Sequence, residues 1–207
     1  MNENGNVTII DGVKTLKDIL PPDGMPVYAL FVGKFPIRES VEAGHYYQGK
    51  MGQEFWNMLK QYGIIEDKVG YILHQEYEDD DFPRYGFGLT DVVKRPGVSG
   101  QKLNPDYVAK GYDRLKRLIK ERDVKIVVFL YKEVLKEILC VKDFWVEGDT
   151  IERGFDKSNY KMFFNKAEVF VFPGMGRQRN KSEEQCFMRQ LKDRIDELNK
   201  KESGCNV

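Results

Sequence analysis

An apolar run that stops at a glycine constrains the fold of this chain more than any other feature. Residues 27–32 form a continuous apolar run of strand length, and Gly33 ends it. The step from Phe35 to Pro36 keeps the chain extended, because a residue before proline avoids helical backbone, and helical spacing begins near Gln53. This pattern predicts the start of a βα unit. Ligands of open α/β sheets bind beyond the carboxyl ends of strands, so the loop after Gly33 is a candidate site; a simple corner in the chain is the alternative.

Strands and helices are predicted to alternate along the rest of the chain. An apolar run at residues 125–130 predicts a second buried strand, with helical spacing before it from Asn104 to about Arg122 and after it over residues 132–139. Further elements are predicted as a pair of strands at residues 160–164 and 168–172 and a helix at residues 182–199. This alternation predicts an α/β fold, namely a three-layer α/β/α sandwich with a central, mostly parallel sheet.

The length of 207 residues fits one domain, which we place at residues 25–199. Residues 1–24 are predicted to be an N-terminal extension that caps one sheet edge and contains a helix at residues 15–20, before two prolines. Residues 200–207 are predicted to be a flexible tail. The connection at residues 66–84 is predicted to be irregular, and its acidic run to be solvated or to repel phosphate groups on one side.

The composition excludes several classes of site. Lys+Arg and Asp+Glu both number 33, so no overall basic bias indicates nucleic acid, although local patches still set a binding field. Three widely spaced cysteines and two histidines provide no zinc-ligand spacing, and the cysteines are typical of a reducing, cytosol-like compartment. No apolar stretch approaches the roughly 20 residues of a membrane span. We therefore expect no metal, no cofactor and no membrane contact.

A set of motifs resembles one known family. The motifs occur in order at residues 33–36, 43–47, 55–56, 85–95 and 171–174. Together they resemble the uracil-DNA glycosylase superfamily, closest to its mismatch-specific uracil- and thymine-DNA glycosylase branch, over roughly residues 25–198. The resemblance implies a monomeric enzyme that flips a base out of DNA and hydrolyses its glycosidic bond, located in the cytoplasm at the nucleoid or in a nucleus. Branches with an iron-sulfur cluster need four cysteines and are excluded.

The resemblance also implies candidate residues for a base pocket and for catalysis. The family's first loop is Gly-Ile-Asn-Pro-Gly, and its catalytic Asn falls on Phe35. The implied base pocket comprises Gly33, Lys34, Phe35, Pro36, Tyr47 and Thr90, and the remaining catalytic candidates are Asp91, Gln53 and Glu54. Gln53 lies near the position of the catalytic Asn in the hypoxanthine-type branch. We expect Gln53 and Glu54 in the first turn of a helix. The alternative for Glu54 is that its carboxylate only interacts with the positive end of the helix dipole.

Asp91 occupies the place of an Asn that helps to recognise the extruded base in the family. An ionised carboxylate only accepts hydrogen bonds, so it would suit a base edge that donates, such as the amine of cytosine or adenine. Alternatively, Asp91 is the general base that replaces the missing Asn. A third possibility is a structural turn in which the carboxylate accepts from backbone N–H groups.

A loop near the end of the chain matches the family's second motif, which enters the minor groove. Met175 is a candidate wedge, and Arg177 and Arg179 are candidates to hold phosphates or the orphaned base. The full set of candidate DNA-binding residues is Gly174, Met175, Gly176, Arg177, Arg179 and Asn180.

Three explanations of the Phe35 replacement remain open. In the first, the catalytic group has moved to Gln53, Glu54 or Asp91. In the second, the pocket is rebuilt for an unusual base such as a modified cytosine, as in defence against modified phage DNA. In the third, catalysis is lost and the protein only binds DNA or a partner. An enzyme of free nucleotides is a further alternative, because a generic α/β sheet would serve it equally well.

Overall fold

The computed structural model describes residues 5–73, 76–98, 100–174 and 180–203. Its strands are β1 (Val7–Ile10), β2 (Val13–Leu16), β3 (Ala29–Gly33), β4 (Phe87–Asp91), β5 (Ile126–Phe129), β6 (Gly154–Phe155) and β7 (Glu168–Val171). Its helices are α1 (Arg38–Ala43), α2 (Lys50–Gln61), α3 (Val69–Ile72), α4 (Glu78–Asp81), α5 (Pro105–Glu121), α6 (Lys132–Val141) and α7 (Lys181–Ser203). Two 3₁₀ turns lie at Phe82–Tyr85 and Tyr160–Phe163. Among these helices, none is long and apolar enough to cross a lipid bilayer.

A five-stranded sheet forms the centre of the molecule, in the order β4-β3-β5-β7-β6. The first four strands are parallel, and β6 pairs with β7 in the antiparallel sense. Successive residues of a strand face opposite sides, so Ala29 and Phe31 join one core while Leu30 and Val32 join the other. The first core is completed by α2 and α7, and the second by α5 and α6. This arrangement confirms the predicted three-layer α/β/α sandwich with a mostly parallel sheet.

The N-terminal helix predicted at residues 15–20 is wrong, because β1 and β2 form an antiparallel hairpin there. Asp11 and Gly12 connect the two strands with φ of 50° and 74°, the left-handed backbone that a tight hairpin turn needs. Beyond the hairpin, Ile19 exchanges two backbone hydrogen bonds with Leu89 of β4, which is an edge strand of the central sheet. The segment before β3 therefore runs beside β4, the strand that ends at the site candidate Asp91.

The strand predicted at residues 160–164 is also wrong. Tyr160–Phe163 is a 3₁₀ turn, and β7 pairs on that side with the short β6 instead. The carboxylate of Asp156 accepts from the backbone N–H of Ser158 at 2.8 Å and of Tyr160 at 2.6 Å. These local side-chain bonds compete with extended backbone and turn the chain.

The acidic run within the predicted irregular connection is not simply solvated, and its segment is partly helical. Glu78 and Asp79 of α4 are buried, at 4% and 0% exposure. Glu78 accepts from the ammonium of Lys60 at 2.7 Å. Asp79 is bound to three groups near the candidate site, which are described below. Buried carboxylates are tolerated only with such partners, so this segment has a structural task.

Candidate active site

A cavity of about 350 Å³ opens at the carboxyl ends of the central strands. It is lined by residues that follow β3 and β5, by the end of β4, and by residues from β2, α1 and α2. The residues are Leu16, Lys34, Phe35, Pro36, Ile37, Ser40, Tyr46, Tyr47, Gln48, Met51, Gly52, Asp91, Gly100, Tyr131 and Glu133. Five of the sequence-predicted site residues therefore come together here, namely Lys34, Phe35, Pro36, Tyr47 and Asp91.

The loops after β3 and β4 are joined by hydrogen bonds that continue the parallel strand pairing. Backbone N–H groups of the second loop donate to carbonyls of the first at 3.0 Å in three places: Val92 to Gly33, Val93 to Lys34, and Gly97 to Pro36. Since both loops border the cavity, this ladder holds its two sides in a fixed relation.

Asp91, the last residue of β4, is the most unusual group in the cavity. Its carboxyl is 1% exposed, and neither oxygen has a hydrogen-bond partner among the described residues. Its Oδ1 atom lies directly over the Cα of Gly33, since a Cβ built there would be 2.2 Å away. Burial raises the pKa of Asp91 to about 7, with Asp18 adding to the rise and Lys94 and Arg114 opposing it. A buried polar group without a partner is costly, so this carboxyl is a candidate functional group.

The hydroxyl of Tyr47 lies beside the same glycine, 2.8 Å from the position of a Cβ on Gly33. It is buried and has no partner among the described residues. Burial and the nearby charge of Asp91 raise the pKa of Tyr47 well above its ordinary value, so the phenol stays protonated. The backbone of Tyr47 has φ of 53°, and a Cβ on Gly52 would lie 1.8 Å from its carbonyl oxygen. Close packing against α2 thus holds the ring in the cavity.

The buried carboxylate of Asp79 holds the segment before Tyr47. Its Oδ2 atom accepts from the backbone N–H of Tyr46 at 2.8 Å and from Asn6 at 3.1 Å, and its Oδ1 atom lies 2.8 Å from Nδ1 of His45. Burial lowers the pKa of His45, but the hydrogen bond and charge of Asp79 outweigh burial and raise it. Asp80 brings a third possible metal ligand within 4.8 Å, yet both Asp79 oxygens are already occupied by donors. The chemistry of this cluster is that of an ion pair.

Phe35 forms an aromatic side of the cavity. Its ring packs against the backbone of Gly97, where a Cβ would come within 2.6 Å of it. The ammonium of Lys34 lies 5.3 Å from the centroid of the same ring and donates to the carbonyl of Gln101. Phe35 thus has a fixed face toward the cavity but no group that could activate water.

Four other predicted pocket and catalytic residues lie outside the cavity lining, namely Gly33, Thr90, Gln53 and Glu54. The hydroxyl of Thr90 is bound to Asp18 at 2.5 Å and to Arg114 at 3.0 Å. Gln53 and Glu54 are half-buried in α2. Their predicted place in the first turn of the helix is wrong, because α2 starts at Lys50. The backbone N–H of Gln53 is not free, since it donates to the carbonyl of Gly49. The Oε2 atom of Glu54 is buried without a partner among the described residues, but Met51 and Gly52 are the residues of this helix that reach the cavity.

The predicted DNA-binding loop is described only at its two ends. Gly174 has φ of 93°, and a Cβ there would lie 3.2 Å from the guanidinium of Arg153. Asn180 caps α7, with its side-chain oxygen 3.1 Å from the N–H of Ser182. The predictions for Met175, Gly176, Arg177 and Arg179 fall outside the described residues.

Sequence reasoning missed several residues of the cavity, among them Leu16, Tyr131 and Glu133. Tyr131 is the second residue after β5, so the strand-end rule that led to the loop after β3 would also have found it. Burial, with a smaller contribution from Asp91, raises its pKa to about 12. Leu16 had no such signal, since its segment was predicted to be helical.

The fold and the cavity define an α/β protein with an aromatic pocket around one buried carboxyl at the carboxyl ends of its parallel strands. The chain belongs to the uracil DNA glycosylase superfamily, whose family model matches residues 26–173. It is 30% identical over 94 residues to the G/U mismatch-specific uracil DNA glycosylase of Schizosaccharomyces pombe. That match covers 44% of this chain and only 28% of the yeast protein. The resemblance drawn from the motifs is confirmed.

Proposed function

We propose that this protein is a DNA glycosylase that takes an extruded base into the cavity and hydrolyses its N-glycosidic bond to leave an abasic site. The observation that carries the proposal is the buried, unpartnered carboxyl of Asp91 in an aromatic pocket, within a chain of the uracil DNA glycosylase superfamily. A base inside the duplex cannot reach such a pocket, so it must be flipped at a cost of a few kcal/mol. Such a protein would act on DNA as a monomer, at the nucleoid or in a nucleus.

The size and lining of the cavity suit a flipped base. Its volume of about 350 Å³ is at the small end of ligand pockets, which run from roughly 300 to 1,000 Å³. Phe35, Tyr47 and Tyr131 supply aromatic rings, and stacking on such a ring contributes roughly 1–3 kcal/mol per base. Phe35 therefore has a binding role in place of the catalytic Asn of the family.

The catalytic role that we propose for Asp91 is that of general base toward water. A pKa of about 7 is suited to proton transfer at neutral pH, because a base is most effective when its pKa lies near the working pH. In this role the ionised carboxylate takes a proton from the water that attacks the sugar carbon as the base departs. The catalytic function has then moved from the first loop to the end of β4, and Gln53 and Glu54, which lie outside the cavity lining, take no part in it.

The pocket favours a base of the uracil or thymine type, because Tyr47 offers a neutral hydroxyl as donor beside Asp91. A modified cytosine is the second candidate, since an ionised Asp91 would accept from its exocyclic amine. A role in defence against modified phage DNA follows only from this second candidate.

The test is a base-release assay with single-stranded and duplex oligonucleotides that carry uracil, mismatched thymine, hypoxanthine, or plain or modified cytosine. Hot alkali then cuts the strand wherever an abasic site has formed. We expect release of one base class, at least about 100-fold slower in Asp91→Asn, with DNA affinity within a few-fold. Asp113→Asn is the matched control, because this exposed aspartate of α5 pairs with Lys142 away from the cavity.

Other outcomes separate the competing functions. Binding of DNA without release of any base would favour a catalytically inactive DNA-binding protein. Release from free nucleotides, with no effect of Arg177→Ala, would favour an enzyme of the nucleotide pool. Full activity of Asp91→Asn would remove Asp91 from the catalytic role.

A further inference from the structure

A buried network of charges lies next to the Asp91 carboxyl. The ammonium of Lys94 is 2.7 Å from Oδ1 of Asp18 and donates to the hydroxyl of Tyr46 at 2.7 Å. The guanidinium of Arg114 donates to Oδ2 of Asp18 at 2.6 Å and to the backbone carbonyl of Asp91 at 2.5 Å. Lys94 is buried, so Asp18 is the carboxylate that makes its presence in the protein interior tolerable.

The segment that supplies Asp18 lies before β3 and outside the region that the family model matches, residues 26–173. Two further contacts bind this segment to the site. The hydroxyl of Tyr46 donates to the carbonyl of Lys17 at 3.0 Å, and Leu16 lines the cavity itself. The pairing of Ile19 with Leu89 fixes the segment along β4, two residues before Asp91. The N-terminal segment thus lines the cavity at Leu16, and the next three residues, at positions 17–19, contact Tyr46, Lys94 and β4 beside it.

We propose that Asp18 and Lys94 are positioning residues for the Asp91 carboxyl, so that the N-terminal segment is a working part of the active site. The inference rests on the proposed function, because it assigns a purpose to the state of Asp91. Neither residue is assigned to the reaction by the motifs of the family resemblance.

Two opposite charges act on the carboxyl of Asp91. The positive charge of Lys94 favours the ionised form of Asp91, while the negative charge of Asp18 disfavours it. Asp18 also fixes the position of the ammonium, so it controls how strongly Lys94 can act. Burial has the largest effect on the pKa of Asp91, and the pair adjusts the pH at which Asp91 changes from acid to base.

Other groups surround Asp91 and must be held constant in any test. Those that face it or interact with it are Arg114 of α5, Tyr46 and Tyr47 before α2, and Tyr131 after β5. The tyrosines stay neutral across the relevant pH range, because burial raises the pKa of each of them. Between pH 5 and 9, a change in the titration of Asp91 can therefore be attributed to the substitution of Asp18 or Lys94.

The experiment is an NMR titration of the full chain labelled with ¹³C at the aspartate carboxyls. The Asp91 signal is identified as the one that disappears in Asp91→Asn. We expect Asp18→Asn to lower the pKa of Asp91 and Lys94→Met to raise it, each by about one unit or more. Asn at position 18 removes the charge with little change of shape, and its one oxygen can replace one of the two oxygens that accept from Lys94 and Arg114. Lys94→Gln is the second variant if Lys94→Met does not fold.

A merely structural role would not give this pattern, because loss of packing would shift both variants in the same direction or neither. Either of those results would overturn the proposal. Asp123→Asn, an exposed aspartate next to Lys125, is the matched control and should leave the Asp91 titration unchanged.

The base-release assay then separates this inference from the proposed function. Opposite pKa shifts that are accompanied by parallel shifts of the pH profile of kcat/KM support both. Opposite pKa shifts in a protein that releases no base support the positioning role and refute the glycosylase. Normal base release without the opposite pKa shifts refutes the positioning role alone.

Discussion

Gly33 and Asp91 are partners in the parallel register of β3 and β4, and the Oδ1 atom of Asp91 occupies the space where a side chain on Gly33 would begin. A Cβ at position 33 would lie 2.2 Å from that oxygen and 2.8 Å from the hydroxyl of Tyr47. The glycine that ends the first apolar run is therefore required by the carboxyl of the next strand. Its small size brings the backbone of one loop and the two polar groups of the pocket together.

Gly33→Ala should displace the Asp91 carboxyl or the Tyr47 hydroxyl and reduce base release by at least about 100-fold, because a 1 Å displacement of a reacting group can have that effect. The free energy of unfolding should fall by about 1–3 kcal/mol from overpacking. Base-release kinetics and urea unfolding measure the two effects. Gly24→Ala is the control: its φ is 85° and nothing lies within 4 Å, so it should lose stability without losing activity.

Asp91→Asn should change how stability depends on pH. The pKa of Asp91 is raised from 3.8 to about 7 in the folded protein, so the native state binds the proton more tightly than the unfolded state. Folding is therefore opposed by this group as pH rises from about 4 to 7, by on the order of 4 kcal/mol in total. The variant does not lose this free energy of unfolding. The difference in free energy of unfolding between the variant and the natural chain should therefore shift in favour of the variant from about pH 4 to pH 7 and remain constant above pH 7. Urea unfolding at pH 5 and pH 8 measures it, and an advantage that is equal at both values would contradict the raised pKa.

The rate of base release should rise with pH and reach a plateau above about 7, because the ionised form of Asp91 is the proposed general base. The measurement is kcat/KM on the oligonucleotide that the panel identifies, from pH 5 to pH 9. A rate that falls through the same range would indicate that the protonated carboxyl is the active form and donates a hydrogen bond to the base. The general-base role would then be wrong.

Asp79→Asn should weaken the attachment of the Tyr46 segment and lower the pKa of His45. The pKa of His45 is higher in the folded protein than in the unfolded chain, where it is about 6.5. The pairing of His45 with Asp79 therefore stabilises the fold fully below about pH 6.5, and this stabilisation disappears as pH rises through the pKa of the folded protein. We expect a loss of about 2–4 kcal/mol in the free energy of unfolding below pH 6 and a smaller loss at pH 9. Histidine NMR in a His74→Gln background follows His45 alone. Asp80→Asn is the control, since its 3.8 Å pairing is partly exposed and should contribute at most about 1 kcal/mol.

Arg177→Ala should weaken DNA binding on any sequence and reduce the slope of log affinity against log salt by about 1, if this arginine neutralises one phosphate. Fluorescence anisotropy at several salt concentrations measures both quantities. Arg117→Ala is the matched control, because Arg117 is exposed on α5. Equal salt slopes for the two variants and the natural chain would exclude the phosphate contact.

The fold class could be predicted from the sequence because the buried strands are continuous apolar runs separated by helical spacing. The two local errors arose where a few residues override the wider pattern. Asp11 and Gly12 make a tight turn that converts the expected helix into a hairpin, and Asp156 bends the chain where a strand was expected. The turn signal at positions 11–12 was present in the sequence, whereas the capping by Asp156 depends on hydrogen bonds that no spacing indicates.

Only the site residues that lie at or just after the ends of strands could be predicted from the sequence. The ends of β3 and β4 led to Asp91 and to the loop of Phe35, and both line the cavity. The charges next to Asp91 could not be predicted, because Asp18, Lys94 and Arg114 come from three separate segments that only the tertiary fold brings together. The same holds for Asp79, whose acidic neighbours suggested a solvated surface.

For the proposed glycosylase, the hydrogen-bonded ladder between the loops after β3 and β4 has a consequence for the order of events in the reaction. Since these two loops are joined by backbone hydrogen bonds, we expect them to move together and this part of the pocket to be formed before a nucleotide arrives. The shape change needed for reaction then falls on the DNA. The slow step of recognition would be the departure of the base from its stack, which makes a loosely paired base easier to capture than a well-paired one.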